Sequence, residues 1–259
     1  MKMLMDRDVG KQYTLDCETN ELARISVANI LGIAQADLVA YLRSFTFKKN
    51  DGVEVLFNSI LEKFGQVWGF SHTAWLHLTR CLPRCSFANG LLPLSDVTDD
   101  IWNFLFSICK YPISKRDWDE FRKQIESCRG KKHSDIYRIR TTLHTQNGPD
   151  GILIGDINFN RTVGQAHFLD EGPEFVMLIC QEFKAEYGYE LFNDFKANTK
   201  PCMVKFITPN SDVDSLLAAL NYIYEIEQTE PIFGITQSTC YLGKGRPVSP
   251  EFIQKIVYV

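Results

Sequence analysis

The chain has 259 residues, of which 45% are hydrophobic, and a formal net charge of −4. This is ample apolar material for a substantial core, in one large domain or a domain with a smaller appendage. The slightly acidic balance excludes a global electrostatic pull toward nucleic acid or an anionic membrane, so a nucleic-acid partner needs a local basic patch.

Asp6, Arg7 and Asp8 follow a Met-rich start without the apolar segment of a secretion signal. No apolar run approaches the roughly 20 residues that cross a bilayer. A soluble, cytoplasmic protein with no membrane partner is expected. The 8 cysteines are scattered singly, which argues against a disulfide framework. Cys109, Cys180 and Cys202 lie in apolar patterns, where a thiol behaves as a small hydrophobe. Cys81 and Cys85, with His77 upstream, lack the fourth ligand and second tight pair of a zinc set, so no metal is expected.

Residues 1–70 read as a mostly helical N-terminal region. Leu31 to Phe45 contains one helix, and Val53, Leu56, Phe57, Ile60, Leu61 and Phe64 form one apolar helical face that Gly65 can end. Residues 71–259 read as an α+β domain with a mainly antiparallel sheet. It opens on Trp75 to Arg80, an apolar extended segment in which His77 and Thr79 point to one face. Arg80 points to the opposite face of an ideal strand, where it forms an ion pair or, after a local twist, contacts phosphate. The alternative for His77 is an imidazole hydrogen-bonded within the fold.

Farther along, Ile101, Phe104, Leu105 and Ile108 have helical spacing, and Ser114 with Asp117 can cap a helix carrying Trp118, Phe121 and Ile125. The basic residues between Lys115 and Arg140 are diluted by carboxylates, so a solvated face is the default and nucleic-acid contact the minority reading. Ile136 to Arg140 and Gly151 to Gly155 have strand composition, separated by a turn at Asn147-Gly148-Pro149 and the weak site candidate His144.

The segment His167 to Glu174 sets a His, an aromatic ring and carboxylates beside a Gly-Pro turn that leads into a helix. It reads as an active-site loop forming the wall opposite His77. Glu174 in a first helical turn also has a purely electrostatic role with the helix dipole. A strand at Cys202 to Ile207, a helix opened by Ser211 with Asp214, and short strands at Ile232 to Ile235, Cys240 to Leu242 and Lys255 to Val259 complete the order.

That order resembles the ADP-ribosyltransferase fold, especially the NAD-using toxin enzymes whose catalytic domain opens on His-x-Thr. His77-Leu78-Thr79, Gly90-Leu91 and the final Pro247-Val248-Ser249-Pro250 link with its closing strand carry the resemblance. In the family, a helix after the first strand ends near the Gly-Leu. The resemblance implies NAD as substrate, with His77 hydrogen-bonding a ribose, Thr79 helping to seat the dinucleotide and Phe168 stacking on nicotinamide. Arg80, Gly90 and His167 join the cofactor-binding set, and His77, Thr79 and Glu174 the catalytic one. Where the family carries a late-strand Glu, this chain has Thr236-Gln237-Ser238-Thr239. Either Glu174 or Glu171 supplies the carboxylate, or the chain is catalytically altered.

The resulting expectation is an ADP-ribosyltransferase-like enzyme, a bacterial toxin or antiviral-defence effector, modifying protein or nucleic acid and restrained by a protein partner such as an antitoxin. Two alternatives are a non-enzymatic protein-binding module that docks through the N-terminal helices, and a nuclease using His77, His144 or His167.

Overall fold

In chain order, the computed structural model contains β1 (Thr14–Leu15), α1 (Asn20–Leu31), α2 (Gln35–Ser44), α3 (Val53–Phe64), β2 (His72–Cys81), α4 (Leu94–Ile108), α5 (Lys115–Ser127), β3 (Asp150–Ile152), α6 (His167–Glu171), α7 (Glu174–Tyr187), α8 (Leu191–Asn198), β4 (Lys200–Pro209), α9 (Val213–Glu227), β5 (Cys240–Leu242), a single 3-10 turn (Pro250–Phe252) and β6 (Ile253–Tyr258). The residues described are 13–49, 51–65, 69–127, 137, 147–156, 167–228 and 240–259. The strand reading of 136–140 (Tyr137 apart) and that of 232–235 lie outside them, as do His144 and Thr236 to Thr239.

Local signals account for most helix ends. Gly32 and Gly65 take left-handed backbone, φ 69° and 72°, and close α1 and α3 at a conformation that costs glycine no Cβ clash. The Gly32 stop is why the helix within 31–45 starts only at Gln35. Ser114 and Asp117 form the expected cap: the Asp117 amide donates to Ser114 Oγ at 3.2 Å, and that hydroxyl donates to the Asp117 carboxylate at 2.6 Å. At α9 the cap is Asp212 rather than Ser211, its side chain accepting from the Asp214 amide.

The strands form one six-stranded sheet in the order β5-β3-β2-β4-β6, with β1 added to β2. β2 pairs antiparallel with β3 and parallel with β1. The fold is α+β, as the patterning predicts. No single described helix is long and apolar enough to cross a membrane.

The chain divides into two compact units, neither contiguous in sequence. One gathers Met1–Leu76, Ile152–Gly164 and Phe206–Tyr241; the other gathers His77–Gly151, Gln165–Lys205 and Leu242–Val259. The division therefore runs through β2 rather than ahead of it, and the N-terminal helices share their unit with α9.

In the first unit, α1, α2 and α3 each pack on α9. Glu227 at the end of α9 has only 2% of its side chain exposed and lies between Arg24 of α1 at 2.6 Å and Arg43 of α2 at 2.8 Å. A carboxylate removed from water needs such partners, since an uncompensated buried charge costs several kcal/mol. On β2, the Trp75 indole donates to Thr208 Oγ1 at 2.9 Å, fixing a large buried ring by its one polar atom.

The second unit has an aromatic core in which Trp102, Trp118, Phe121 and Phe183 are buried together. Trp102 and Trp118 meet edge to face at 5.4 Å, the arrangement favoured by ring quadrupoles. The buried Asp194 carboxylate accepts from the Lys110 amide at 3.1 Å and the Tyr189 hydroxyl at 2.8 Å, so the loop after α4 is tied to α8.

Arg24→Met leaves Glu227 with one cation and is expected to cost about 3 kcal/mol in urea unfolding. Replacing Arg24 and Glu227 together by Met is expected to cost less than the single change, because no buried charge then remains.

Candidate functional site on the His77 strand

Side-chain alternation along β2 organises the candidate site. Thr73, Trp75, His77, Thr79 and Cys81 share one face, and Ala74, Leu76, Leu78 and Arg80 the other. In the second unit the first face offers His77, Thr79 and Cys81, while Arg80 points away from them.

His77 Nδ1 lies 2.7 Å from the backbone carbonyl oxygen of Asp150, the first residue of β3. A carbonyl only accepts, so Nδ1 carries the proton. Burial lowers the His77 pKa from 6.5, opposed by the Asp150 carbonyl and the Asp150 charge. Burial thus favours the neutral ring, in which Nδ1 carries the proton and Nε2 is able to accept. Thr79 is buried, and its hydroxyl's described contact is a 3.5 Å approach to the Arg80 carbonyl, the long limit of a hydrogen bond.

Arg80 is committed elsewhere. Its guanidinium donates to the Leu169 carbonyl at 2.7 Å, to the Thr199 carbonyl at 3.0 Å, to Thr199 Oγ1 at 3.1 Å and to the Lys196 carbonyl at 3.3 Å. Lys196 and Thr199 stand at the C-terminal end of α8, where carbonyls lack helical partners and the dipole favours a cation. The phosphate contact read for Arg80 is replaced by a staple joining the end of β2 to α6 and α8.

The segment expected to face His77 meets β2 on the Arg80 side. His167 to Glu171 form the short helix α6 rather than a loop, and the His167 side chain lies outside the described residues. Phe168 is partly buried in α6. Gly172 follows at φ +81°, where a Cβ would come within 2.8 Å of the Phe195 ring and 3.3 Å of Arg80 Cδ. Glu174 opens α7 and is exposed. Alternation thus puts His77 and Thr79 on one side of β2 and the packed 169–172 segment on the other.

Gly90 lies in a turn ahead of α4 rather than at a helix end. It has φ +80°, and a Cβ there would fall 2.0 Å from the Val248 carbonyl oxygen. The neighbouring residue Leu91 pairs antiparallel with Val248, its amide donating to the Val248 carbonyl at 2.9 Å and its carbonyl accepting at 2.8 Å. The Gly90-Leu91 and Pro247-Val248 segments, remote in sequence, are therefore one structural element.

The basic helix reads as a solvated face. Lys115 pairs with Asp119 at 3.0 Å, Lys123 with Glu120 at 2.8 Å, and Arg122 with Asp99 at 2.5 Å and Glu126 at 2.7 Å. Among the described residues, no group of His, Cys, Asp and Glu side chains is arranged to hold a metal ion.

Two features of the site escape a sequence reading. The Asp150 carbonyl that fixes the His77 tautomer is a backbone atom, invisible to motif logic. Cys81 shares the His77 face and meets Cys202, Cys85 and Tyr258; the available signal is its odd-numbered place on the same strand. Comparison with protein-family models, curated proteins and solved structures finds no match.

Because the folded state binds the His77 proton less readily than the unfolded chain, this residue's contribution to stability is full above pH 6.5 and is lost as pH falls through the lowered folded value. The stability difference between wild type and His77→Gln is expected to shrink when unfolding is measured at about pH 5 instead of about pH 7.5. Arg80→Lys keeps the charge but not the fork of donors, and is expected to cost about 1–3 kcal/mol by the same measurement.

Proposed function

We propose that the chain is an NAD-dependent ADP-ribosyltransferase-like enzyme with the His77 face of β2 as its dinucleotide wall. It breaks the bond between nicotinamide and ribose and transfers ADP-ribose to a protein or nucleic-acid acceptor, in a toxin or antiviral-defence setting. The observation that carries this reading is the 2.7 Å contact that fixes His77 Nδ1 on the Asp150 carbonyl. With Nδ1 donating to Asp150, Nε2 is an acceptor held on a strand, suited to a sugar hydroxyl and unsuited to a phosphate oxygen, which only accepts. The pairing of Leu91 with Val248 adds support, since it joins two of the three segments on which the family resemblance rests.

In this reading His77 orients a ribose, and the buried Thr79 hydroxyl supplies a second polar group on the same face. Arg80 is a positioning residue, holding the end of β2 through the Leu169 and Thr199 carbonyls. Glu174 follows the segment packed on the Arg80 face of β2, so this reading does not assign it to the positive charge that develops on the ribose as nicotinamide leaves with the bonding electron pair. Phe168 lies in α6 on the Arg80 side and is likewise not assigned to nicotinamide, while Gly90 lets the backbone come close to the Val248 carbonyl.

Incubating the protein with labelled NAD and cell extract is expected to give nicotinamide release and labelled product, and NAD alone is expected to raise the melting temperature. His77→Ala should lower turnover by about tenfold to a hundredfold, the value of one or two lost hydrogen bonds to substrate. Absence of both turnover and NAD-dependent stabilisation overturns the reading; stabilisation only by a protein partner would favour the binding-module alternative.

A further inference from the structure

The segment that holds His77 is itself anchored, and every anchor lies within the second unit. Pro93 gives α4 no side-chain cap, so the helix begins with amide donors in need of acceptors. The Leu94 amide finds the Asn147 carbonyl at 2.8 Å. The Asn147 side chain returns to the same turn, donating from Nδ2 to Ser95 Oγ at 3.1 Å, and Ser95 donates onward to Asp96 Oδ1 at 3.0 Å. Farther along the segment, the Pro149 carbonyl accepts from the Gly243 amide at 3.0 Å. Asp150 then presents its carbonyl to His77 Nδ1 at 2.7 Å.

We propose that Asn147 is a positioning residue: through it the first turn of α4 fixes the Asp150 carbonyl against His77 and so decides which ring nitrogen is left to meet a ligand. The Ser95 hydroxyl has one proton, and the Asp96 carboxylate takes it. Ser95 Oγ must therefore receive from Asn147, which sets the orientation of the amide. That orientation leaves Asn147 Oδ1 buried without a hydrogen-bond partner among the described residues, in a side chain whose residue is 2% exposed. An unmet buried acceptor works against stability, so the worth of this side chain lies in where it puts the backbone. On the other side, a Cβ at Gly243 would fall 2.4 Å from the Pro149 carbonyl oxygen, so the segment has no room to slide toward residue 243.

A neutral imidazole carries its one proton on either nitrogen, and the partner of one nitrogen settles the state of the other. With the Asp150 carbonyl fixed, Nδ1 keeps the proton and Nε2 accepts. The ligand group that fits is then a hydrogen-bond donor, such as a sugar hydroxyl. A displaced carbonyl frees the ring to present a donor instead, which suits an anionic oxygen. Asn147 thus governs the chemical class of group that His77 takes. The consequence for NAD rests on the reading proposed above; the state of the ring does not.

The test uses the full chain with isotopically labelled histidine rings, followed by nitrogen NMR at about pH 7.5, where a neutral ring is expected. The chain has 5 histidines, and the signals lost in His77→Gln are those of His77. Wild type is expected to show a protonated Nδ1 and a bare Nε2. In Asn147→Ala the two signals are expected to move toward each other as both tautomers become populated. KM for NAD is expected to rise about threefold to tenfold with kcat unmoved, the value of one hydrogen bond. A side chain that only stabilised the fold would leave both readouts unchanged in the folded protein. If Asn147→Ala fails to fold, Leu94→Pro decides. It removes the amide donor to the Asn147 carbonyl at the first helical position, where proline fits, and Pro93 already has the extended backbone that precedes a proline. A protonated Nε2 in wild type, or unchanged His77 signals in the folded variant, overturns the proposal. Moved ring signals without any response to NAD support the positioning role and count against the NAD reading instead.

Discussion

Arg80 is a partly buried cation on β2, and the end of that strand is arranged around its need for acceptors. Four hydrogen bonds meet it, three of them from main-chain carbonyls at Leu169, Lys196 and Thr199. Two of those carbonyls belong to the end of α8, where a helix leaves acceptors over. The exchange satisfies both sides: the cation gains the dipole's negative end, and the helix gains donors it cannot make itself. Gly172 is drawn into the same arrangement, because only a residue without Cβ fits between Phe195 and the aliphatic stem of Arg80. The path of the chain from α6 into α7 is thus set by one side chain on a distant strand.

The opposite face of β2 carries groups with few described hydrogen bonds. His77 has one nitrogen engaged, and Thr79 has a long contact to its neighbour's carbonyl. Strand alternation therefore puts the hydrogen-bonded Arg80 on one face and His77 and Thr79 on the other.

Much of this was legible in the sequence where the determinants are local. The helical period of Val53 to Phe64, the Gly65 stop and the Ser114–Asp117 cap are all written within one or two turns, and each takes the expected form. Alternation also told that His77 and Thr79 share a face and that Arg80 does not. What alternation cannot tell is which face a remote segment covers. Chemistry alone sets His167 to Glu174 opposite His77, but the 169–172 part of that segment packs by Arg80, whose guanidinium needs acceptors that a histidine does not require. The helix α6 was missed because five residues are too few to display a period. The roles of Asp150 and Thr199 depend on partners dozens of residues away, and on main-chain atoms that residue identity does not encode.

The discontinuous make-up of the two units bears on how the protein can be produced. The first needs residues from both sides of β3 and from β4 onward, and the second needs the last eighteen positions, Leu242–Val259, to close on residues as early as Gly90. Neither can finish on a ribosome that has delivered only the first half of the chain, and no single cut liberates either as a linear fragment. Contacts between residues far apart in sequence slow folding, because loop closure must come before the contacts that reward it. During synthesis Trp75, Trp102 and Phe183 are therefore made before the later segments of their units, and such transiently exposed apolar surface is what makes partly made chains prone to aggregate.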